Sequence, residues 1–439
     1  MNLVYGVKDK PKFGQMLVFA FQQVLAILAA TIAVPSIIGN GMSQSAALFG
    51  AGVGTLIYQL FTKRNSPVFL GSSFAFIGSM FAAFGGAASA AAGYTGLVLG
   101  AAFAALVYVI IALVVKAVGV NWINKLMPPV VIGPTVAIIG LSLAGNAVGD
   151  LTTGRVAGCS PYVALICGLV TLFAVIVFSV YGKKMARLIP FILGILAGYV
   201  AASIFTVIGI LCGNPALQVI DFSVFANMGI VSLPDFTFVM AAQGLKDIDG
   251  AFIATVAVAY VPVAFVVFAE HIADHKNLST IIGSDLLKDP GLHNTLLGDG
   301  VGSFFGALFG GCPNTTYGES VGCVAITRNA SVATITTTAI LCMLISFFDP
   351  FVTFLASIPN CVMGGVCITL YGFIAVSGLK MIQQVNLGAS KNLFVAAVIL
   401  ICGIGGLSVS FGNVTLTAIA CALILGILVN VMVSKAKED

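Results

Sequence analysis

The sequence predicts an all-α polytopic membrane protein of fourteen transmembrane segments, folded as an inverted repeat of seven plus seven. Three observations carry this reading. Of 439 residues, 59% are hydrophobic and 8% charged, and the 15 acidic residues are too few to help cover a soluble surface of that size. Apolar runs recur along the chain, many of them long enough to cross a hydrocarbon core about 30 Å thick. The basic residues fall in alternate loops, as they do when alternate loops face the cytoplasm.

The first span, 14–34, follows the short basic opening MNLVYGVKDKPKFGQ, which reads as the flank of a full-length span and not as a cleavable signal. A second run covers 45–61. The third, 68–85, is short and enters on Pro67, whereas the fourth, 94–117, is long and continuous. Spans at 129–147, 161–181 and 188–211 complete the first half. After a more polar stretch, 212–250, the eighth runs over 251–275 and is followed by 293–309, 316–330 and 331–348. The ninth and tenth are short or polar, and the division near 330 is faintly marked. Spans at 358–380, 392–411 and 416–434 complete the apolar pattern.

Charge tests the count. With the N-terminus inside, Lys8, Lys10, Lys12, Lys63, Arg64, Lys116, Lys125, Lys183, Lys184 and Arg187 all fall on the cytoplasmic side. Arg328, Lys380, Lys391, Lys435 and Lys437 join them. The external loops hold Arg155 and Lys246, the latter among Asp221, Asp235, Asp247 and Asp249. An odd number of spans would invert half of these assignments. Both termini are therefore expected in the cytoplasm of a multi-pass protein of the inner (plasma) membrane. The net charge of +4 reads as topology and not as a nucleic-acid surface.

Seven spans per half would reverse the orientation of the second half. The third span opens SPVFLGSSFAF and the tenth CPNTTYGES, each with a proline (Pro67, Pro313) followed by small and hydroxylated residues. The fifth and twelfth open with proline and glycine, in MPPVVIGPTVAIIG and IPNCVMGGVCITLYG. Short, Gly/Pro-interrupted segments at corresponding places in two halves point to a transporter's binding site. Chance similarity between glycine-rich segments is the competing explanation.

Ionisable groups inside a membrane cost about 2.5–3.5 kcal/mol each on insertion scales, so those present call for an explanation. In VFAEHIADHKN, Glu270 follows some twenty mostly apolar residues, and Asp274 lies one helical turn later on the same face. His271 and His275 form a second such pair. Four titratable groups in six residues have the composition of a proton site. Glu270, deeper in the run, reads as functional; His275 and Lys276 read as hydrated residues at the interface. EHIADH has the wrong order for a HExxH zinc site, and ten scattered cysteines form no metal or disulfide pattern. No metal, cofactor or enzyme activity is expected, since no nucleophile–base pair appears.

The second polar island is GGCPNTTYGESVGCVAITR, residues 310–328. Pro313 removes a backbone donor, Asn314, Thr315 and Thr316 favour non-helical backbone, and Gly318 admits close approach to the main chain. Such backbone is tolerated at membrane depth only when buried in protein or lining a cavity. With Glu319 it makes a donor and acceptor array suited to a small, flat, polar heterocycle; an ordinary interfacial loop is the alternative.

The residues GSSFAF (71–76), AEH (269–271), DLLKDPGLH (285–293), PNTTYGE (313–319), VMGGV (362–366) and LYG (370–372) closely resemble the nucleobase–ascorbate transporter (nucleobase:cation symporter-2) family. The resemblance runs from YGVKDKP to the last span. It implies two inverted repeats of seven spans, with short antiparallel extended stretches in spans 3 and 10 that meet beside the substrate. It also implies a core domain formed by 1–125 (spans 1–4) and 213–350 (spans 8–11), and a gate domain formed by 126–212 (spans 5–7) and 351–439 (spans 12–14). Proton symport, elevator-like core movement and dimerisation through the gate domain are implied with them.

Carried over by position, Glu270 and Glu319 would be the two ring-binding carboxylates. Phe74 and Gly318 would supply backbone contacts, Ser73 would join them at the substrate, and Tyr317 and Tyr371 would pack close to the base. Two departures stand out. The family's permease has a histidine four residues after the first glutamate, where this chain has Asp274, so proton coupling would fall to Glu270 and Asp274. The family signature's asparagine is Ser320 here. Glu319, in place of the glutamine typical of xanthine and urate transporters, argues for a pyrimidine. The expected function is import of uracil with protons; another nucleobase on the same fold, or a passive channel, are the alternatives.

Overall fold

The computed structural model describes residues 3–119, 122, 127–183, 185–226, 228–411 and 414–434. Lys125, Lys184, Lys435 and Lys437, counted above with the inward charge, lie outside the described residues.

The chain enters α1 (Phe13–Ile38) and α2 (Gln44–Phe61), then strand β1 (Leu70–Ser72), a 3-10 turn at Phe74–Phe76, α3 (Ile77–Gly85) and α4 (Ala90–Val118). Next come α5 (Pro129–Ser142), α6 (Ala144–Asp150), α7 (Pro161–Tyr181), the one-turn α8 (Met185–Leu188) and α9 (Pro190–Leu211). The polar stretch that follows contains α10 (Thr237–Gly244) and leads to the long α11 (Gly250–Ile282). Then follow α12 (Leu292–Gly310), strand β2 (Asn314–Thr316), α13 (Gly318–Thr327) and α14 (Val332–Ile345). The chain continues through α15 (Asp349–Ser357), α16 (Asn360–Ile382), α17 (Ser390–Ile404), the β3–β4 hairpin (Val409–Phe411, Val414–Leu416) and α18 (Ala418–Val433). Among the described residues, seven helical segments are long and apolar enough to cross a membrane.

Local chemistry explains most boundaries. Pro129, Pro161 and Pro190 sit in the first turn of their helices, where a missing N–H costs nothing. Ser43, Ser89, Asp249, Ser331 and Thr417 cap helices by accepting an N–H three residues on. Gly283 and Gly311 end α11 and α12 in the left-handed conformation open to glycine.

The fifth span, 129–147, is present as α5 and α6, which join at Leu143 into one apolar segment, Pro129–Asp150. One expectation about spans is corrected. The thirteenth does not run to 411: α17 stops at Ile404, and Gly406, at φ 72°, turns the chain into the hairpin. The tenth span carries the extended stretch the resemblance implies: β2 precedes α13, which ends at Thr327.

The helices pack as two groups. In the first, α2 lies along α12 and α14, α4 against α10, α11 and α12, and α1 against α14. In the second, α16 packs on α5, α6 and α7, α9 on α7, and α17 between α5 and α18. Close helix approach rests on glycine. A Cβ on Gly54 of α2 would sit 2.7 Å from the Gly302 carbonyl oxygen of α12, and one on Gly50 would overlap the Gly306 carbonyl. Spaced four apart, Gly50 and Gly54 face Gly302 and Gly306 as small residues do where membrane helices touch backbone to backbone.

Candidate functional site

The two broken segments meet. β1 and β2 pair antiparallel, with Leu70 opposite Thr316, Gly71 opposite Thr315 and Ser72 opposite Asn314. Beyond the ladder, the Ser73 N–H donates to the Pro313 carbonyl at 2.9 Å and the Tyr317 N–H to the Phe69 carbonyl at 3.2 Å. The outer edge is satisfied by a side chain: Thr55 Oγ1 accepts from the Leu70 N–H at 2.9 Å and donates to the Leu70 carbonyl at 3.2 Å. Two three-residue strands thus place extended backbone between membrane helices, its ladder-side groups paired strand to strand and those of Leu70 paired with Thr55, in keeping with what such backbone requires there. Gly71 is required, because the Tyr317 ring occupies the place of its Cβ while the Tyr317 hydroxyl donates to the Ser72 carbonyl at 2.9 Å.

Each strand hands over to a helix start, at Phe74 and at Gly318, and no side chain of the capping residues Ser73 and Tyr317 bonds either one. First-turn N–H groups there lack intrahelical acceptors and form the positive end of the helix dipole. Ser73, Phe74, Gly318 and Glu319 line one side of a cavity of about 420 Å³. Glu270 and Asp274, one turn apart on α11, also face it. The opposite wall is mainly apolar: Val136 and Ile139 of α5, Phe191 of α9, and Leu370, Phe373 and Ile374 of α16, with the Ser377 hydroxyl among them. The cavity therefore lies between the two helix groups.

Asp274 is held in place by Thr316, which donates to its Oδ2 at 2.7 Å. Among the described residues no lysine or arginine pairs with Glu270, Asp274 or Glu319; the ion pairs are His271–Asp299 and Lys288–Asp285. The carboxylates are thus free to accept hydrogen bonds from an N–H-bearing ligand.

Of the residues singled out from sequence, Ser73, Phe74, Glu270, Asp274, Tyr317, Gly318 and Glu319 line this one cavity. Tyr371 stands behind it, buried, its ring edge-on to Phe74 with centroids 6.1 Å apart. Ser320 faces away: its Oγ accepts from Gln23 Nε2 of α1 at 2.5 Å and from the Phe69 N–H at 3.1 Å. It braces β1 and α13 against α1 instead of touching the cavity. Ser320→Ala is expected to remove both bonds, lowering stability by about 1–3 kcal/mol, with a raised substrate KM. A thermal melt alongside uptake kinetics reads both, and an unchanged melting midpoint would refute the bracing role.

The expectation that His275 is hydrated is corrected. It is fully buried, donates through Nδ1 to the His271 carbonyl at 2.8 Å, and lies 2.6 Å from the Tyr58 hydroxyl. α11 extends to Ile282, and α2 covers the face on which His275 would otherwise have met water. Lys276 is exposed. His271 is buried too, its Nδ1 2.7 Å from Asp299 Oδ2 and its Nε2 2.9 Å from Thr295 Oγ1. Asp299 is therefore a structural partner that locks α11 to α12 directly behind Glu270 and Asp274.

On the α16 wall only Leu370 falls in a sequence motif, LYG; Phe373, Ile374, Ser377 and Met381 lie beyond it. Their spacing, 370, 373, 374, 377 and 381, is a helical stripe that could mark any packed face.

The Permease family model matches residues 14–412. A uracil permease of Bacillus caldolyticus is 38% identical over 432 residues, 98% of this chain and 94% of that protein. The uracil permease of Bacillus subtilis (strain 168) is 36% identical over 443 residues, 99% of this chain and 96% of that one. Among solved structures, the transmembrane domain of the cyanobacterium bicarbonate transporter BicA superposes with a TM-score of 0.61 over 97% of this chain and 100% of that domain. At 16% identity that likeness is one of fold alone.

Proposed function

The chain belongs to the Permease family and is a multi-pass membrane transporter, not an enzyme; on that premise we propose that it carries uracil across the membrane by proton symport. The observation that carries the proposal is the convergence of two uncapped helix starts and three cation-free carboxylates on one cavity. Uracil presents two N–H donors and two carbonyl acceptors around a flat ring. Glu270 and Glu319 accept the ring N–H groups, and main-chain N–H groups at Phe74 and Gly318 donate to the carbonyls. Phe74 and the apolar wall supply faces for the ring. Glu270 and Asp274, adjacent on α11, are the groups proposed to exchange the proton, with Thr316 holding Asp274 in register.

In this proposal, fourteen spans form the inverted repeat, the first helix group is the core domain and the second the gate. The carboxylates and the open helix starts of the site belong to the core group, whereas the gate group contributes the mainly apolar wall named above, with Ser377 in it. Apart from the Ser377 hydroxyl of α16, that wall is apolar and carries no charge, which suits movement of the core past a fixed gate in an elevator cycle. Dimerisation through the gate, a plasma-membrane location and cytoplasmic termini complete the reading. A cavity of about 420 Å³ lies within the size range of drug-sized ligand pockets, so a bicyclic purine is the second reading.

Purified protein in liposomes under an inward proton gradient is expected to accumulate labelled uracil above its external concentration, and a protonophore to abolish the accumulation. Equilibration without accumulation would identify a passive pathway. Preferential uptake of xanthine would select the purine reading.

A further inference from the structure

A second cavity, of about 610 Å³, opens where α1 begins, α2 ends and α14 begins. Lys8, Lys10, Lys63 and Arg64 line it, without any acidic residue, and Phe13 and Met16 supply apolar surface. None of these residues belongs to the transport site described above.

The four cations are not a solvated tail. The segment bearing Lys8 and Lys10 is strapped onto the turn between α13 and α14. The Val4 N–H donates to the Arg328 carbonyl at 2.8 Å, the Ala330 N–H to the Tyr5 carbonyl at 2.9 Å and the Val332 N–H to the Val7 carbonyl at 3.0 Å. Ser331 Oγ adds a bond to the Asp9 carbonyl at 2.5 Å. Lys63 and Arg64 are consecutive left-handed residues, at φ 51° and 56°. That conformation costs a non-glycine residue roughly 1–2 kcal/mol and persists where its surroundings over-determine it.

Nearby acids are turned to other partners: the Asp9 carboxylate accepts from the Gly6 N–H at 2.7 Å, and that of Asp289 lies 3.5 Å from Asn65 Nδ2. The start of α1 carries no side-chain cap, which leaves first-turn N–H groups for an anion. Phe13 is 71% exposed beside the cations, at the end of a membrane-spanning helix.

We propose that this cavity binds the headgroup of an anionic phospholipid, its phosphodiester among the four cations and the start of its acyl chains along Phe13 and Met16. Phosphate is the chemistry that a lipid and a soluble anion share; the exposed apolar surface at a helix end favours the lipid. Basic pockets between membrane helices are suited to this chemistry.

The test is native mass spectrometry of the full-length protein titrated with phosphatidylglycerol or phosphatidylcholine. Phosphatidylglycerol is expected to be retained in preference. Lys8→Gln/Lys10→Gln/Lys63→Gln/Arg64→Gln should weaken its tightest binding about tenfold or more. Lys183→Gln/Arg187→Gln, exposed cations elsewhere, should change it less than about twofold. Should the quadruple variant not purify folded, Lys8→Gln/Lys10→Gln is expected to show about a threefold loss. Equal binding by variant and parent, or an equal loss in the control pair, overturns the site. Displacement of the lipid by inorganic phosphate at matching concentration would assign a soluble anion and overturn the lipid.

Discussion

Glu270→Gln is expected to weaken uracil binding by about 10- to 100-fold and to end accumulation driven by a proton gradient. A hydrogen bond to an ionised acceptor contributes about 1.5–3 kcal/mol, which corresponds to that range of affinity. The substitution keeps volume and shape, so the loss reports the acceptor and not a cavity. Glu319→Gln is expected to weaken uracil to a similar degree, for the same reason. Because it replaces an acceptor oxygen with an N–H₂ donor, it should also admit purines that present a carbonyl at that place. Binding titrations on purified variants separate these effects from folding, and counterflow uptake in liposomes separates exchange from proton-driven accumulation. Intact transport by Glu270→Gln would remove that residue from the substrate and proton roles together.

The second large effect is structural. His271 and Asp299 are each essentially inaccessible to water, and the pair joins α11 to α12 immediately behind the carboxylates. Asp299 Oδ1 already has no side-chain or main-chain partner. His271→Leu would leave Oδ2 unpartnered as well. Removing one member of a buried pair costs about 3–5 kcal/mol, whereas replacing both members by apolar residues is often close to neutral. The single variant is therefore expected to melt well below the parent, and His271→Leu/Asp299→Leu to recover most of the difference. If the double variant melted no higher than the single, the buried-pair explanation would fail.

The difference between those two predictions shows what kind of information each residue carried. Glu270 could be picked out from sequence because a carboxylate after twenty apolar residues contradicts its surroundings. Glu319 stood out because a proline, hydroxylated residues and glycines broke an otherwise helical pattern around it. His275 misled for the opposite reason. Near the end of an apolar run a histidine is compatible with water, and the Tyr58 hydroxyl that covers it comes from a helix more than two hundred positions away.

Ser320 follows the same logic. As a departure from a family pattern it raised a question about substrate range. Its contacts answer with a brace between Gln23 of α1 and the Phe69 main chain. The hairpin after α17 went unread because Val409–Phe411 and Val414–Leu416 are as apolar as a span, and hydropathy alone does not distinguish extended from helical backbone.

Composition by itself determined that this chain lives in a bilayer, because burial of so much apolar surface leaves no other solvent. Local breaks in hydropathy determined where the polar chemistry lies, because uncompensated polar groups in hydrocarbon are too costly to occur without use. Only the tertiary structure decided that the breaks at residues 70–72 and 314–316 form one antiparallel ladder, that their helix starts share a cavity with Glu270 and Asp274, and that α16 walls it off. Those outcomes depend on pairings between segments far apart in the chain, set by backbone hydrogen bonds and by glycine faces that let α2 and α12 touch. The sequence holds the residues for such pairings but not the distances between them.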